Sequence, residues 1–133
     1  MSKDLYRKTA DASIHTLDTH SDNRGILLVQ DLSIFPVSFV RLFVLEGIEV
    51  GSVRGKHAHK ECWLFAFASS SGITLKIKNT MGVKTFVMRP SIGVLIPPYN
   101  WIEVYFEDNN SKLNVLASKP YDADDYIYTS PLE

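Results

Sequence analysis

Short apolar runs broken by turn-forming residues recur along this chain, a pattern of β-strands rather than helices. The clearest stretch is residues 73–78, where Ile73, Leu75 and Ile77 alternate with Thr74, Lys76 and Lys78. Successive side chains of a strand point to opposite faces, so this stretch predicts one buried and one solvated face. Asn79-Thr80-Met81-Gly82 predicts a hairpin turn into a strand over residues 83–88. Further breaks stand at Asp22-Asn23-Arg24-Gly25, Glu46-Gly47, Ser69-Ser70-Ser71-Gly72, Arg89-Pro90-Ser91-Ile92-Gly93, Pro97-Pro98-Tyr99-Asn100 and Asp108-Asn109-Asn110. They bound runs at residues 26–30, 37–45, 62–68, 94–96, 101–106 and 113–118. Roughly nine or ten short strands at this spacing predict an all-β, antiparallel sandwich or barrel in a single domain. No long amphipathic helix is expected. Strand edges need cover, and the segment around residues 14–17 is expected to supply it by pairing with a second subunit. The polar and aromatic tail, residues 119–133, is expected to wrap over the barrel.

Composition narrows the partners. A chain of 133 residues suits one domain, and a hydrophobic share of 45% is enough to fill its core. The net charge of -1 gives no electrostatic case for nucleic acid or an anionic membrane. A single cysteine, Cys62, excludes an internal disulfide framework and suits a reducing compartment. Residues 1–8 are polar and charged, without the apolar core of a signal peptide. No apolar run approaches the ~20 residues that cross a bilayer. A cytoplasmic, soluble protein is expected.

The candidate chemistry lies in Arg54-Gly55-Lys56-His57-Ala58-His59-Lys60. Two histidines two apart on a strand project from the same face, and Trp63 and Phe65 share their parity if no bulge intervenes. Paired imidazoles suit proton transfer, because one accepts while the other donates. Arg54, Lys56 and Lys60 add positive charge suited to a phosphate-bearing ligand. A metal site is the weaker reading. Glu61 or Glu103 offers a carboxylate, but the only other histidines, His15 and His20, lie upstream and are expected to face solvent. Other residues carry two readings each. Arg41 either holds a diphosphate or lies on a half-exposed strand. Trp101 either stacks on a base or sugar or serves as a rim or core aromatic. Tyr121 and Tyr126 are expected chiefly to pack in the tail. Asp122, Asp124 and Asp125 are expected to form a solvated turn. Cys62 is expected to point away from the histidines as a small buried hydrophobe.

These residues resemble a family. Arg54-Gly55-Lys56-His57-Ala58-His59-Lys60 is similar to the Arg-Gly-x-His-Ala-His-Lys signature of nucleotide-sugar 3,4-ketoisomerases, the WxcM-like group of the cupin superfamily. Asp22-Asn23-Arg24-Gly25, Phe35-Pro36 with Val40-Arg41, Trp101 after its prolines, and Ala117-Ser118 with Tyr121-Asp122 and Asp125-Tyr126-Ile127 resemble further family stretches in the same order. The resemblance implies a cupin-type antiparallel β-barrel, or jelly roll. It implies a nucleotide-sugar ligand, dTDP-4-keto-6-deoxyglucose, whose keto group moves between carbons 4 and 3. It further implies deoxysugar synthesis for bacterial surface glycans such as O-antigen, no metal or other cofactor, and a homodimer with exchanged N-terminal strands. His57 and His59 inherit the catalytic role, and Arg41, Arg54, Lys60, Trp101 and Tyr126 become expected substrate-binding residues. Four positions depart from the family pattern: Phe43, Leu64, Leu75 and Ile102 stand where polar groups are usual. Losing polar partners weakens the hold on a polar ligand. The alternatives are therefore a different substrate, a barrel that binds sugar nucleotides without catalysis, or a metal-dependent cupin enzyme.

Overall fold

The computed structural model describes Tyr6 and residues 10–131. Twelve strands follow in order: β1 (Ser13–Thr16), β2 (Asp18–Asp22), β3 (Gly25–Val29), β4 (Arg41–Leu45), β5 (Val53–His59), β6 (Leu64–Ala68), β7 (Ile73–Asn79), β8 (Gly82–Val87), β9 (Ile92–Ile96), β10 (Trp101–Phe106), β11 (Leu113–Ala117) and β12 (Tyr126–Ile127). One antiparallel sheet runs β1-β9-β6-β11-β4, a second runs β12-β5-β10-β7-β8, and β2 and β3 form a separate hairpin. This is the expected all-β jelly roll. Its two sheets are not joined by hydrogen bonds into one continuous barrel. Among the described residues no helix is long and apolar enough to cross a membrane.

The alternation read over residues 73–78 sets the core. Ile73, Leu75 and Ile77 are buried between the sheets. They pack in one cluster with Leu64, Ala66, Val94, Leu113 and Val115 of the other sheet and with Val104 of the neighbouring strand. A second cluster lies on the outer side of the first sheet, where Phe35, Phe65 and Leu95 pack with Trp63 and Phe67. Trp63 and Phe65 therefore do not share the histidine face, contrary to the parity expected from sequence. The chain bends between β5 and β6, leaves one sheet for the other, and the alternation restarts in the opposite sense.

The ends of the chain bear on the site. β1 pairs with β9 of its own chain, Ser13 opposite Leu95 and Thr16 opposite Ile92. His15 on that strand is not turned to solvent as expected. Its ring meets Phe35 edge-on at 4.9 Å, and burial lowers its pKa. His20 in β2 is exposed. The tail returns to the β5 edge of the second sheet. A 3-10 turn at Ala123–Asp125 leads into β12, whose Tyr126 and Ile127 pair with His59 and Ala58. The last two positions of the expected tail, 132–133, lie outside the described residues.

Candidate active site

A bulge in β5 decides which side chains meet. Gly55 has φ 85° and Lys56 φ 58°, and pairing with β10 steps from Ile102 opposite His57 to Glu103 opposite Gly55. Lys56 is thus the extra, unpaired residue. Only glycine fits position 55: a Cβ there would lie 2.9 Å from the Ile102 carbonyl oxygen. The bulge turns Arg54 and His57, three apart in sequence, toward one cavity between the sheets. That cavity has a volume of about 370 Å³, within the range of small-molecule sites. Arg41, Arg54, His57, Tyr126 and Tyr128 supply its polar wall. Phe43, Leu64, Leu75 and Ile102, the four positions that depart from the family pattern, all line it as well.

The two imidazoles stand perpendicular, centroids 5.0 Å apart, and Tyr126 touches both at 4.8 and 4.5 Å. Their surroundings differ. His57 lines the cavity, and its Nδ1 is buried without a hydrogen-bond partner among the described residues. Burial, and secondly the nearby His59, push its pKa down to about 4, so the ring is neutral at pH 7. His59 sits behind the cavity wall, and its Nδ1 is hydrogen-bonded to Asp125 Oδ2 at 2.9 Å. Burial lowers the His59 pKa, with Asp125 pulling the other way.

Asp125 is the site residue that sequence reading missed. Asp122 and Asp124 are solvated as expected, but Asp125 is buried. Its Oδ1 accepts the Glu61 amide at 2.7 Å and its Oδ2 the Cys62 amide at 3.3 Å. Asp125 and His59 are 66 residues apart, beyond any local spacing rule. Tyr128 was missed too, although its two-residue spacing from Tyr126 pointed to the same face. The two rings stack at 5.8 Å.

Five of the seven expected site residues come together, and two do not. His57, His59, Arg41, Arg54 and Tyr126 converge. The Arg41 guanidinium lies over Phe43, its charge acts on the Tyr126 phenol, and its Nε donates to the Lys119 carbonyl at 3.1 Å. Burial raises the Tyr126 pKa against the pull of Arg41, so the phenol stays neutral at pH 7. Trp101 faces away: Ile102 and Val104 turn inward, and Trp101 Nε1 donates to Glu103 Oε2 at 2.9 Å on the outer side of β10. Lys60 is exposed just past the end of β5.

Among the described residues, one group of side chains has donors that could hold a metal. Ligand atoms of His59, Cys62 and Asp125 lie within 4.8 Å of one another. Both Asp125 oxygens already accept hydrogen bonds from the groups named above, so this set is built as a hydrogen-bonded clasp. Glu103 is on the far face of β10, and Glu61 pairs with Lys119 at the surface at 3.6 Å.

A jelly roll whose inter-sheet cavity presents a neutral imidazole, two arginines and a phenol belongs to the cupin class of small-molecule barrels. Within that class the chain belongs to the FdtA family, WxcM-like, C-terminal, whose profile matches residues 10–131. It is 30% identical over 109 residues to the TDP-4-oxo-6-deoxy-alpha-D-glucose-3,4-oxoisomerase of Aneurinibacillus thermoaerophilus, covering 80% of this chain and 78% of that one. A 3,4-ketoisomerase from Helicobacter canadensis superimposes with a TM-score of 0.81 at 29% identity, over 90% of this chain and 92% of that one. A sugar 3,4-ketoisomerase from Thermoanaerobacterium thermosaccharolyticum, solved in complex with TDP, gives 0.82 at 25% identity, over 89% and 88%.

Proposed function

We propose that this chain is a nucleotide-sugar 3,4-ketoisomerase of deoxysugar biosynthesis, acting on a dTDP-4-keto-6-deoxyhexose with His57 as the proton-transfer group. The observation that carries this reading is a neutral His57 in the wall of a cavity flanked by Arg41 and Arg54. The reaction moves protons only. The C3–H proton leaves to a base and O4 takes up a proton, giving an enediol across carbons 3 and 4; the O3 proton is then lost and C4 is reprotonated. A neutral imidazole can accept the first proton and return it to the neighbouring carbon, help worth ~10²–10⁴-fold in rate. A diphosphate held by the arginines would add negative charge beside the ring and raise its basicity. The Tyr126 phenol can donate a hydrogen bond to a carbonyl or enediol oxygen.

A binding-only role is the second reading, favoured by the apolar side chains of Phe43, Leu64, Leu75 and Ile102 around the cavity. One experiment separates the two. The protein is given dTDP-4-keto-6-deoxyglucose in heavy water, and deuterium at carbon 3 is followed by NMR. Exchange lost in His57→Asn supports catalysis. A raised melting temperature with dTDP-sugar but no exchange supports binding alone.

We further infer a cytoplasmic homodimer. Leu42 and Val44 on the free edge strand of the first sheet, Val40 just before it, and Ile26 and Leu27 of the separate hairpin are 42–71% exposed. Val40, Leu42 and Val44 at alternate positions make an apolar strip along that edge, the kind of surface a protein interface covers. Light scattering that returns the monomer mass at micromolar concentration would refute the dimer.

A further inference from the structure

The turn that follows β5 is fastened at one residue. The backbone amides of Lys60, Glu61 and Cys62 all donate to Asp125: Lys60 to its carbonyl at 2.8 Å, the other two to its carboxylate oxygens. Asp125 is itself held by the 3-10 turn, its amide donating to the Asp122 carbonyl at 3.1 Å. The side chains of His59 and Asp125 are 4% and 9% exposed, so water does not compete for their contact. A backbone amide can only donate, so each carboxylate oxygen is already acting as an acceptor. An ionised carboxylate has no proton to give and only accepts, so the His59 nitrogen facing Oδ2 carries the proton. This makes the neutral ring the Nδ1–H tautomer and leaves the lone pair on Nε2.

We propose that Asp125 is a positioning residue: through His59 it fixes one tautomer and one ring orientation, so that the Nε2 lone pair stands beside His57 as the site's second proton acceptor. In the ketoisomerase reading, on which this consequence rests, His57 moves the carbon proton, and His59, its ring centroid 5.0 Å away behind the wall, takes up or returns protons beside it. Asp125 touches neither substrate nor reacting atom. It also joins the tail to β5, so the placement of β12 and its Tyr126 against the imidazoles depends on the same carboxylate.

The test is Asp125→Asn. Asparagine keeps the shape and one accepting oxygen, but its amide group facing His59 donates and so demands the opposite tautomer. Two-bond proton–nitrogen NMR of nitrogen-15 histidine reads which ring nitrogen is protonated, with no substrate present. The expected result is Nδ1–H for His59 in the wild type and Nε2–H in D125N. Nε2–H in the wild type, or one tautomer in both proteins, overturns the proposal, and the wild-type spectrum decides this even if D125N does not fold. In D125N that folds, kcat for carbon-3 exchange should fall about 10- to 100-fold with KM nearly unchanged, at or below the bottom of the range for losing an acid–base group outright, because the ring itself remains. An unchanged kcat overturns the positioning role. Wild-type protein that catalyses no exchange removes the ketoisomerase reading instead, and leaves the tautomer result standing.

Discussion

Replacing His57 by asparagine removes a base whose protonation the fold opposes, and the stability of the protein should record this. The folded pKa is about 4, against 6.5 for the free side chain. Well above the higher value the ring is neutral in folded and unfolded chains alike, and the difference contributes nothing. As pH falls through that value the unfolded chain takes up a proton that the folded chain refuses. Stability is therefore lost on acidification, until the folded ring also protonates near the lower value. Between pH 7 and pH 5 the linkage integral comes to about 2 kcal/mol for a fully formed shift. His57 is only partly buried, so solvent screening reduces this to roughly 1–2 kcal/mol. Urea unfolding at the two pH values, in wild type and His57→Asn, measures it. The wild type should lose that much more than the variant. His15, His59 and the carboxylates are common to both proteins and largely cancel in the difference. Equal losses in the two proteins, or an NMR titration of His57 centred on its ordinary value, would refute its placement in a dry wall.

Other expected outcomes follow from the same geometry. Arg54→Ala should weaken TDP binding by ~10- to 100-fold, the loss of one charge-assisted contact, while Lys60→Ala changes it less than about twofold. Titration calorimetry checks both, and equal effects would contradict the orientation of β5. Trp101→Phe should lower unfolding stability by ~1 kcal/mol through its hydrogen bond to Glu103, and leave TDP affinity unchanged. Lost affinity would return Trp101 to the site. Gly55→Ala should cost about 1–2 kcal/mol for the left-handed backbone, and more for the contact with the Ile102 oxygen. It should also impair TDP binding, because the bulge aims Arg54; chemical denaturation and calorimetry on one preparation test both parts.

What could be read from sequence followed the two-residue period wherever that period ran unbroken. Ile73, Leu75 and Ile77 are buried as their alternation predicts, and the hairpin at Asn79-Thr80-Met81-Gly82 joins β7 to β8. The same period, pressed harder, would have excluded Trp101. It is adjacent to Ile102 on one strand, and neighbours cannot share a face, so a cavity position for Ile102 puts Trp101 outside. The period failed where backbone geometry reset it. The Gly55-Lys56 bulge shifts the phase within β5, and the bend after His59 shifts it again, sending Trp63 and Phe65 to the outer cluster. Neither break has an unambiguous local signal, since Gly-Lys reads equally well as part of a basic loop. Asp125 was hidden for another reason. Three acids in a short polar stretch look solvated, and only the tertiary return of the tail turns one of them inward.

The distribution of polarity in the cavity limits what can be bound there. Its hydrogen-bonding side chains come from the start of β4, from β5 and from β12 with the residues after it. The rest of the wall, built from Leu64, Ala66, Leu75, Val104, Leu113 and Val115 of both sheets, offers only hydrocarbon. A hexose with hydroxyls on every carbon would leave some of them facing that wall without partners, at about 1–3 kcal/mol for each buried group. In a 4-keto-6-deoxy sugar the edge beside the carbonyl ends in a methyl group, which gains by the same burial at roughly 25 cal/mol per Å². If His57 takes the proton next to the carbonyl and the arginines hold the diphosphate, that methyl is the part of the sugar left to meet the apolar wall. The replacements Phe43, Leu64, Leu75 and Ile102 then need not mark a lost activity. They fit a pocket that selects a ligand by what it lacks at one carbon, and leaves proton transfer to the imidazole.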